Sequence, residues 1–214
     1  MKVFVVGATG QIGKQLINLI QNSEQHTVRA MVRKHEQADA LGQQGVDAAV
    51  ASLEGSVQDI ADAAKGCDAI VFTAGSGGHT GLDKTLLIDL DGAAKTVEAA
   101  EQAGITRFVL VSALQANKRE NWNQEMVPYY VAKHYADKMV EQSSLDYTII
   151  RPGGLLNEPS TGKVSASENL ERGSIAREDV AKTIFASLNS QHTVKKSFDL
   201  ISGETDIEEA LENL

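Results

Sequence analysis

The sequence predicts a three-layer α/β/α domain, a doubly wound parallel sheet with helices on both faces. Three observations carry this. Short β-rich runs alternate with longer helical patterns along the whole chain, two of the runs, Val3–Val6 and Phe108–Val111, are apolar without interruption, and a glycine-rich turn joins the first run to the first helix. Regular alternation of strand and helix implies parallel pairing through right-handed crossovers. A strand covered by helices on both faces has no polar side to show, so its sequence reads as a continuous apolar run.

In order, the strand runs are Val3–Val6, Thr27–Val32, Val46–Val50, Ala69–Thr73, Arg107–Val111, Tyr147–Ile150 and Ser197–Ile201. The helical stretches between them are Gln11–Gln21, with apolar positions Ile12, Leu16, Leu19 and Ile20, then His35–Gln43, Val57–Lys65, Asp83–Ala103, Pro128–Ser143 and Arg177–Asn189. Two segments read as long loops, Ala113–Val127 and Gly153–Ser174, and both follow strand C-terminal ends, where open α/β sheets bind ligands. Together with Gly77–Leu82 they are expected to wall a substrate cleft, with Trp122 either stacking on a substrate or covering an edge of the core. The acidic tail, Glu204–Leu214, reads as a terminal helix with a charged, solvated face.

With 214 residues the chain suffices for one well-packed domain, 1–214, and is too short for two of full size. A formal charge of −9 repels a phosphate backbone, which argues against nucleic-acid binding as the main function. No apolar run is long enough for a transmembrane helix, and the N-terminus lacks a signal-peptide pattern. The only cysteine, Cys67, forms no intramolecular disulfide and reads as a small buried hydrophobe, so a cytoplasmic location is expected. No His, Cys, Asp or Glu cluster has metal-ligand spacing, so no metal is expected.

The strongest chemical signal is Gly7-Ala8-Thr9-Gly10-Gln11-Ile12-Gly13, directly after the first strand and opening the first helix. Glycines in this place let the backbone turn tightly and approach a pyrophosphate. They also bring helix and strand close, while the helix N-terminus offers free N–H groups to phosphate. The second strand ends in Val32-Arg33-Lys34, without the acidic residue that would hold both adenosine ribose hydroxyls of NAD(H). Cations there suit a 2′-phosphate, so NADP(H) is the expected cofactor and NAD(H) the lesser alternative. The bland reading of Arg33 and Lys34 is a solvated helix start. After the third strand, Ser52 and Leu53 are expected to flank the adenine.

With these motifs in place the chain resembles the atypical short-chain dehydrogenases/reductases, in particular the small NAD(P)-binding, epimerase-like and NmrA-like group. The likeness extends through Thr73-Ala74-Gly75-Ser76, Ile88-Asp89-Leu90-Asp91-Gly92, Phe108–Ala113, Tyr129-Tyr130-Val131-Ala132-Lys133, Ile150-Arg151-Pro152-Gly153 and Arg177–Ala181. It implies a Rossmann fold in which Thr73, Ala74, Gly75 and Ser76 lie along the cofactor, and Pro152 and Gly153 pass beside the nicotinamide. It also implies that Ser112, Tyr129 and Lys133 form the family's Ser and Tyr-x-x-x-Lys set, with Asp89 where related enzymes carry Asn. A carboxylate is an acceptor and not an N–H donor, which departs from an Asn-mediated proton relay.

The chemistry is independent of the likeness. Tyr129 and Lys133 stand i and i+4 on one helix face. An ammonium beside a phenol stabilises phenolate, Ser112 at a strand end could donate to a substrate carbonyl, and Lys133 could hold the nicotinamide ribose. Tyr130, at i and i+3 to Lys133, is the alternative tyrosine. His79 and His134 read as solvated. The expected function is an NADP(H)-binding oxidoreductase moving hydride to or from a small carbonyl-like substrate. The alternatives are a sugar epimerase or dehydratase, and a non-catalytic NADP(H) sensor with a protein partner. Only about 60 residues follow Pro152, which leaves little for a nucleotide-sugar domain.

Overall fold

The computed structural model describes residues 1–78 and 80–214. His79 lies outside them. Strands β1 (Lys2–Val6), β2 (Thr27–Val32), β3 (Asp47–Val50), β4 (Ala69–Phe72), β5 (Arg107–Val111) and β6 (Asp146–Pro152) are followed by β7 (Gly154–Leu156), β8 (Lys163–Ser167), β9 (Ser174–Ala176), β10 (Lys196–Ser202) and β11 (Thr205–Asp206). The main sheet runs β11-β8-β10-β6-β5-β4-β1-β2-β3, while β7 and β9 form a separate parallel pair. Seven strands, β3 to β10 in that order, are mutually parallel, as the alternation predicts.

The apolar runs divide cleanly between two helical layers because successive side chains point to opposite faces. In β1, Val3 and Val5 pack with Leu16, Ile17 and Ile20 of helix α1 (Gln11–Gln21) and with Val180 and Ile184 of α7 (Arg177–Asn189). Phe4 and Val6 point the other way, into a layer with Ile60 of α3 (Val57–Ala64), Val97 of α5 (Asp91–Ala103) and Val140 of α6 (Val127–Gln142). Phe4, Phe72 and Phe108 are fully buried, and each side chain contributes about 1.5–3 kcal/mol by leaving water. Helix α2 (His35–Gly42) has no buried residue and is held mainly through β3.

The stretch expected as one helix from Asp83 is composite. A turn of α-helix, α4 (Leu82–Lys84), leads into a π-helical segment, Thr85–Leu90, before α5. Wide π turns reorient side chains and often accompany functional sites. Here the turn carries Asp89.

The Gly153–Ser174 segment is not an irregular loop. It contains β7 and β8, and β8 pairs antiparallel with β10 through Leu200 opposite Ala166, which makes the sheet mixed at this edge. The acidic tail likewise begins as the short strand β11. It then forms α8 (Ile207–Glu212), whose Ile207, Ala210 and Leu211 are buried against α7 while the glutamates stay outside.

Candidate cofactor and active site

The glycine turn has the backbone its residue types require. Gly7 sits at φ +89°, in the left-handed region, and a side chain there would place Cβ 2.6 Å from the Ala74 nitrogen. The β1–α1 turn is thus pressed against the end of β4. At Gly13 a Cβ would meet the Gly7 carbonyl oxygen, so this glycine packs helix onto strand, and Ile12 is a core residue. Gly10, the N-cap of α1, differs: a Cβ there would meet only the Gly7 oxygen, at 3.2 Å. Its outer face is open, and the first turn of α1 carries no acidic side chain.

Above this turn lies a cavity of about 400 Å³. Gly7, Thr9 and Gly10 line it over β1, Arg33 at the end of β2, Leu53 beyond β3, and Thr73, Ala74, Gly75 and Ser76 beyond β4. Nine of the expected cofactor residues therefore converge on one space. The exposed backbone of Lys34 serves as N-cap of α2, and its side chain is not among the lining groups. Ser52 turns its hydroxyl to accept from the Glu54 N–H at 3.1 Å. Gln11, Pro152 and Gly153 lie outside the cavity. Gly153 has a packing reason, since a Cβ there would run into the Gly173 carbonyl and Ile201. Met31, Glu54, Thr80, Lys84 and Ile88 also line the space. Glu54 adjoins the Ser52-Leu53 pair, but nothing local in the sequence marks Lys84.

The Tyr-x-x-x-Lys set lies on α6, which packs against the π turn. Lys133 Nζ stands 3.2 Å from Asp89 Oδ1, donates to the Val111 carbonyl at 3.3 Å, and lies 5.7 Å from the Tyr129 ring centre. Asp89 Oδ2 accepts the Ser76 N–H at 3.0 Å, so this carboxylate joins the cavity wall to the lysine. Both charged side chains are almost fully buried. Burial opposes the lysine's charge, but Tyr129 and Asp89 outweigh it and raise its pKa. For the Tyr129 phenol, burial pushes the pKa up, Lys133 pulls it down and Asp89 pushes it up again, with a net rise.

Tyr129 is partly open, whereas Tyr130 is buried and stacks on Trp122 at a ring separation of 5.9 Å. Trp122 donates its indole N–H to the Ala116 carbonyl, and only 8% of it is exposed, so it closes a small core under the Ala113–Val127 segment. His134, expected in solvent, is instead buried, with Nδ1 2.9 Å from the same Ala116 carbonyl. The segment after β5 folds back over α6 and encloses it. Cys67 is buried and its thiol pKa is raised by burial.

Ser112 is buried at the end of β5. It faces Asp137, a residue the sequence reading passed over although it stands four positions after Lys133 on α6. Burial raises the Asp137 pKa; Arg151, at 2.7 Å, and the Ser112 hydroxyl oppose that rise. A further buried carboxylate, Asp199 of β10, ties two of the expected cleft segments together. It accepts the Gln115 N–H and the Leu170 N–H, each at 3.2 Å, while the Gln115 side chain donates to the Leu170 carbonyl at 2.9 Å. Among the described residues no cluster of metal-ligating side chains occurs, and no helix is long and apolar enough to cross a membrane.

A glycine turn on a helix N-terminus, opening into a long cavity at the C-terminal ends of a mostly parallel sheet, defines an NAD(P)-binding Rossmann protein. The chain belongs to the NAD(P)H-binding family, whose model matches residues 7–191, within the atypical short-chain dehydrogenase/reductase group. It is 64% identical to an uncharacterised sugar epimerase of Bacillus subtilis, over the full length of both chains. It is similar to the structure of a putative NAD-dependent epimerase/dehydratase from Bacillus halodurans, with 45% identity, full coverage of both chains and a TM-score of 0.93. It is also similar to an anaerobilin reductase of Escherichia coli O157:H7, with 27% identity, a TM-score of 0.82, and 96% of this chain and 99% of that one covered.

Proposed function

We propose that the protein is an NADP(H)-dependent oxidoreductase acting on a small carbonyl-like or conjugated substrate, with Tyr129 as the proton donor. The observation that carries this reading is the buried link from Ser76 in the cavity wall through Asp89 and Lys133 to Tyr129. A nicotinamide supplies or accepts the hydride when bound. The residues present fit such a group, since the cavity is open at Gly10 and is lined by Arg33 at the end of β2, where a cation would meet a 2′-phosphate.

In the reductive direction Tyr129 gives its phenolic proton to the substrate heteroatom, and Lys133 stabilises the phenolate left behind. Asp89 holds the lysine in place and offsets part of its charge. Ser112 orients the substrate oxygen when its hydroxyl turns from Asp137 towards the cleft.

The name of the Bacillus subtilis relative favours a second reading, sugar epimerisation. Against it, the residues after Pro152 go into β7 to β11, α7 and α8, which complete the sheet and its covering layer. The test is NADPH oxidation by wild type and Tyr129→Phe over a panel of aldehydes, ketones and quinones. Wild-type turnover reduced at least a hundredfold in the variant is expected. Tight cofactor binding without turnover of any substrate would favour a sensor.

A further inference from the structure

Helix α6 carries Tyr129, Lys133, Asp137 and Glu141 at intervals of four, so these side chains share one face. The function proposed above uses the first two. Asp137 has no part in it, yet it is buried one turn beyond Lys133, where an unpaired carboxylate is costly. Arg151 of β6 pairs with it. The guanidinium Nε donates to Asp137 Oδ2 at 2.7 Å, and its other end reaches Glu141 Oε1 at 3.4 Å, which also accepts from the Ser197 hydroxyl at 3.4 Å. Lys133 is not available to Asp137, being committed to Asp89 and to the Val111 carbonyl.

This leaves Asp137 Oδ1 and the Ser112 hydroxyl. Both are closed to solvent, and neither meets any other partner among the described residues. The Ser112 hydroxyl stands against the carboxylate. The serine backbone is fixed, its N–H donating to the Ile150 carbonyl at 2.8 Å, so the hydroxyl proton is the part free to move. A carboxylate only accepts, which makes the serine the donor. We propose that Asp137 is a positioning residue, which holds the Ser112 proton until negative charge develops on the substrate oxygen. The assignment deepens the reductase reading and rests on it.

The reason is a competition between acceptors. A carboxylate binds a hydroxyl proton more strongly than a neutral carbonyl does. A ground-state aldehyde or ketone therefore leaves the proton on Asp137. As hydride arrives, the substrate oxygen gains negative charge and becomes an acceptor of comparable strength, and the hydroxyl turns to it. Ser112 then stabilises the transition state and adds little to ground-state binding, the kind of interaction that raises kcat rather than lowering KM. Arg151 keeps the carboxylate aimed. In Asp137→Asn the amide oxygen stays on Arg151 Nε, which needs an acceptor, and the N–H₂ turns to Ser112. The bond is then reversed, and the serine proton is released to the cleft.

The experiment is a double-mutant cycle of Asp137→Asn and Ser112→Ala, read with NADPH and the aldehyde or ketone that wild type reduces fastest. Asp137→Asn should lower the carbonyl KM about three- to tenfold and leave kcat within about twofold, since one neutral hydrogen bond to the ground state is gained. In the Ser112→Ala background the same substitution should change KM less than about twofold. A merely structural carboxylate would raise KM or lower kcat in both backgrounds. Carbon-13 NMR titration of the Asp137 carboxyl needs neither turnover nor a change at position 137. Ser112→Ala should raise that carboxyl's pKa by about one pH unit, because a donor to its charged form is lost. A KM unchanged or raised in Asp137→Asn, or a carboxyl unmoved by Ser112→Ala, would overturn the assignment. Turnover of no carbonyl by wild type would instead overturn the reductase reading and the substrate's part with it, while the titration would still decide the bond between Ser112 and Asp137.

Discussion

Gly7 and Gly10 stand three positions apart in one turn, and the structure assigns them opposite sensitivities. At Gly7 alanine meets two penalties. Its left-handed backbone costs an L-residue about 1–2 kcal/mol, and a Cβ 2.6–2.8 Å from Ala74 and Thr73 backbone atoms forces a shift costing about 1–3 kcal/mol. The total of about 2–5 kcal/mol corresponds to a melting temperature lower by roughly 4–20 °C for a chain of this size. Gly10 has an ordinary extended backbone, φ −71° and ψ 166°, and its Cβ would touch only the Gly7 oxygen, at 3.2 Å. Valine there should cost about 1 kcal/mol in folding, largely through a poorer helix N-cap. Its methyl groups, however, would occupy the open face where a pyrophosphate must approach. Scanning fluorimetry with and without NADPH, followed by calorimetry, separates the two effects. Gly7→Ala should melt early, whereas Gly10→Val should melt near wild type and lose both NADPH binding and the stabilisation it confers. Wild-type affinity in Gly10→Val would refute placement of the pyrophosphate on this turn.

Other substitutions probe the rest of the site. Arg33→Ala should weaken NADPH about ten- to hundredfold in calorimetry and leave NADH nearly unchanged; equal loss for both would make Arg33 a solvated helix-start residue. Because the Tyr129 pKa is raised, the phenol should stay protonated through neutral pH. Reductive kcat/KM should therefore be level there and fall only above the ordinary tyrosine value of about 10, and a fall centred near neutrality would exclude Tyr129 as the donor. Asp199→Asn opposes an amide N–H₂ to one of two backbone N–H donors, a buried mismatch costing about 1–3 kcal/mol. Hydrogen exchange should then quicken at Gln115 or Leu170 while NADPH affinity holds, and unchanged exchange at both would deny Asp199 its role as the tie.

What was legible in the sequence was the part encoded by local periodicity. Val3–Val6 and Phe108–Val111 read as two-sided strands because both faces are in fact covered, and the glycine turn was legible because its strand–turn–helix signal spans seven residues, although the backbone that crowds Gly7 comes from Thr73 and Ala74, far along the chain. The short strands escaped for a physical reason. Lys163–Ser167 has one fully buried apolar residue, Val164, and lies towards the sheet edge, so nothing in its pattern separates it from a polar loop. His134 was misjudged because its burial depends on a segment that folds back from the end of β5. Glu54 with Lys84, and Asp89 with Lys133, are pairs made by the fold between residues at least 30 positions apart. No spacing rule reaches them.

The carboxylate at position 89 gives the site its particular character. An amide there could accept from Ser76 N–H as Asp89 does, but would leave the Lys133 charge whole and directed at Tyr129. The carboxylate takes part of that charge, at 3.2 Å in a space nearly closed to water, where electrostatic interactions are stronger than at the surface. Lys133 is thereby held charged, as its raised pKa shows, yet its pull on the phenol is too weak to offset burial and the like-charge effect of Asp89. A tyrosine activated as a base needs its pKa lowered towards neutrality. This one is moved the other way, into the state of a proton donor. Bound oxidised nicotinamide would add positive charge beside the phenol and reverse part of the shift, whereas reduced nicotinamide, being neutral, would not. If the proposed function holds, the constellation of Asp89, Lys133 and Tyr129 favours the protonated phenol in a complex with reduced nicotinamide.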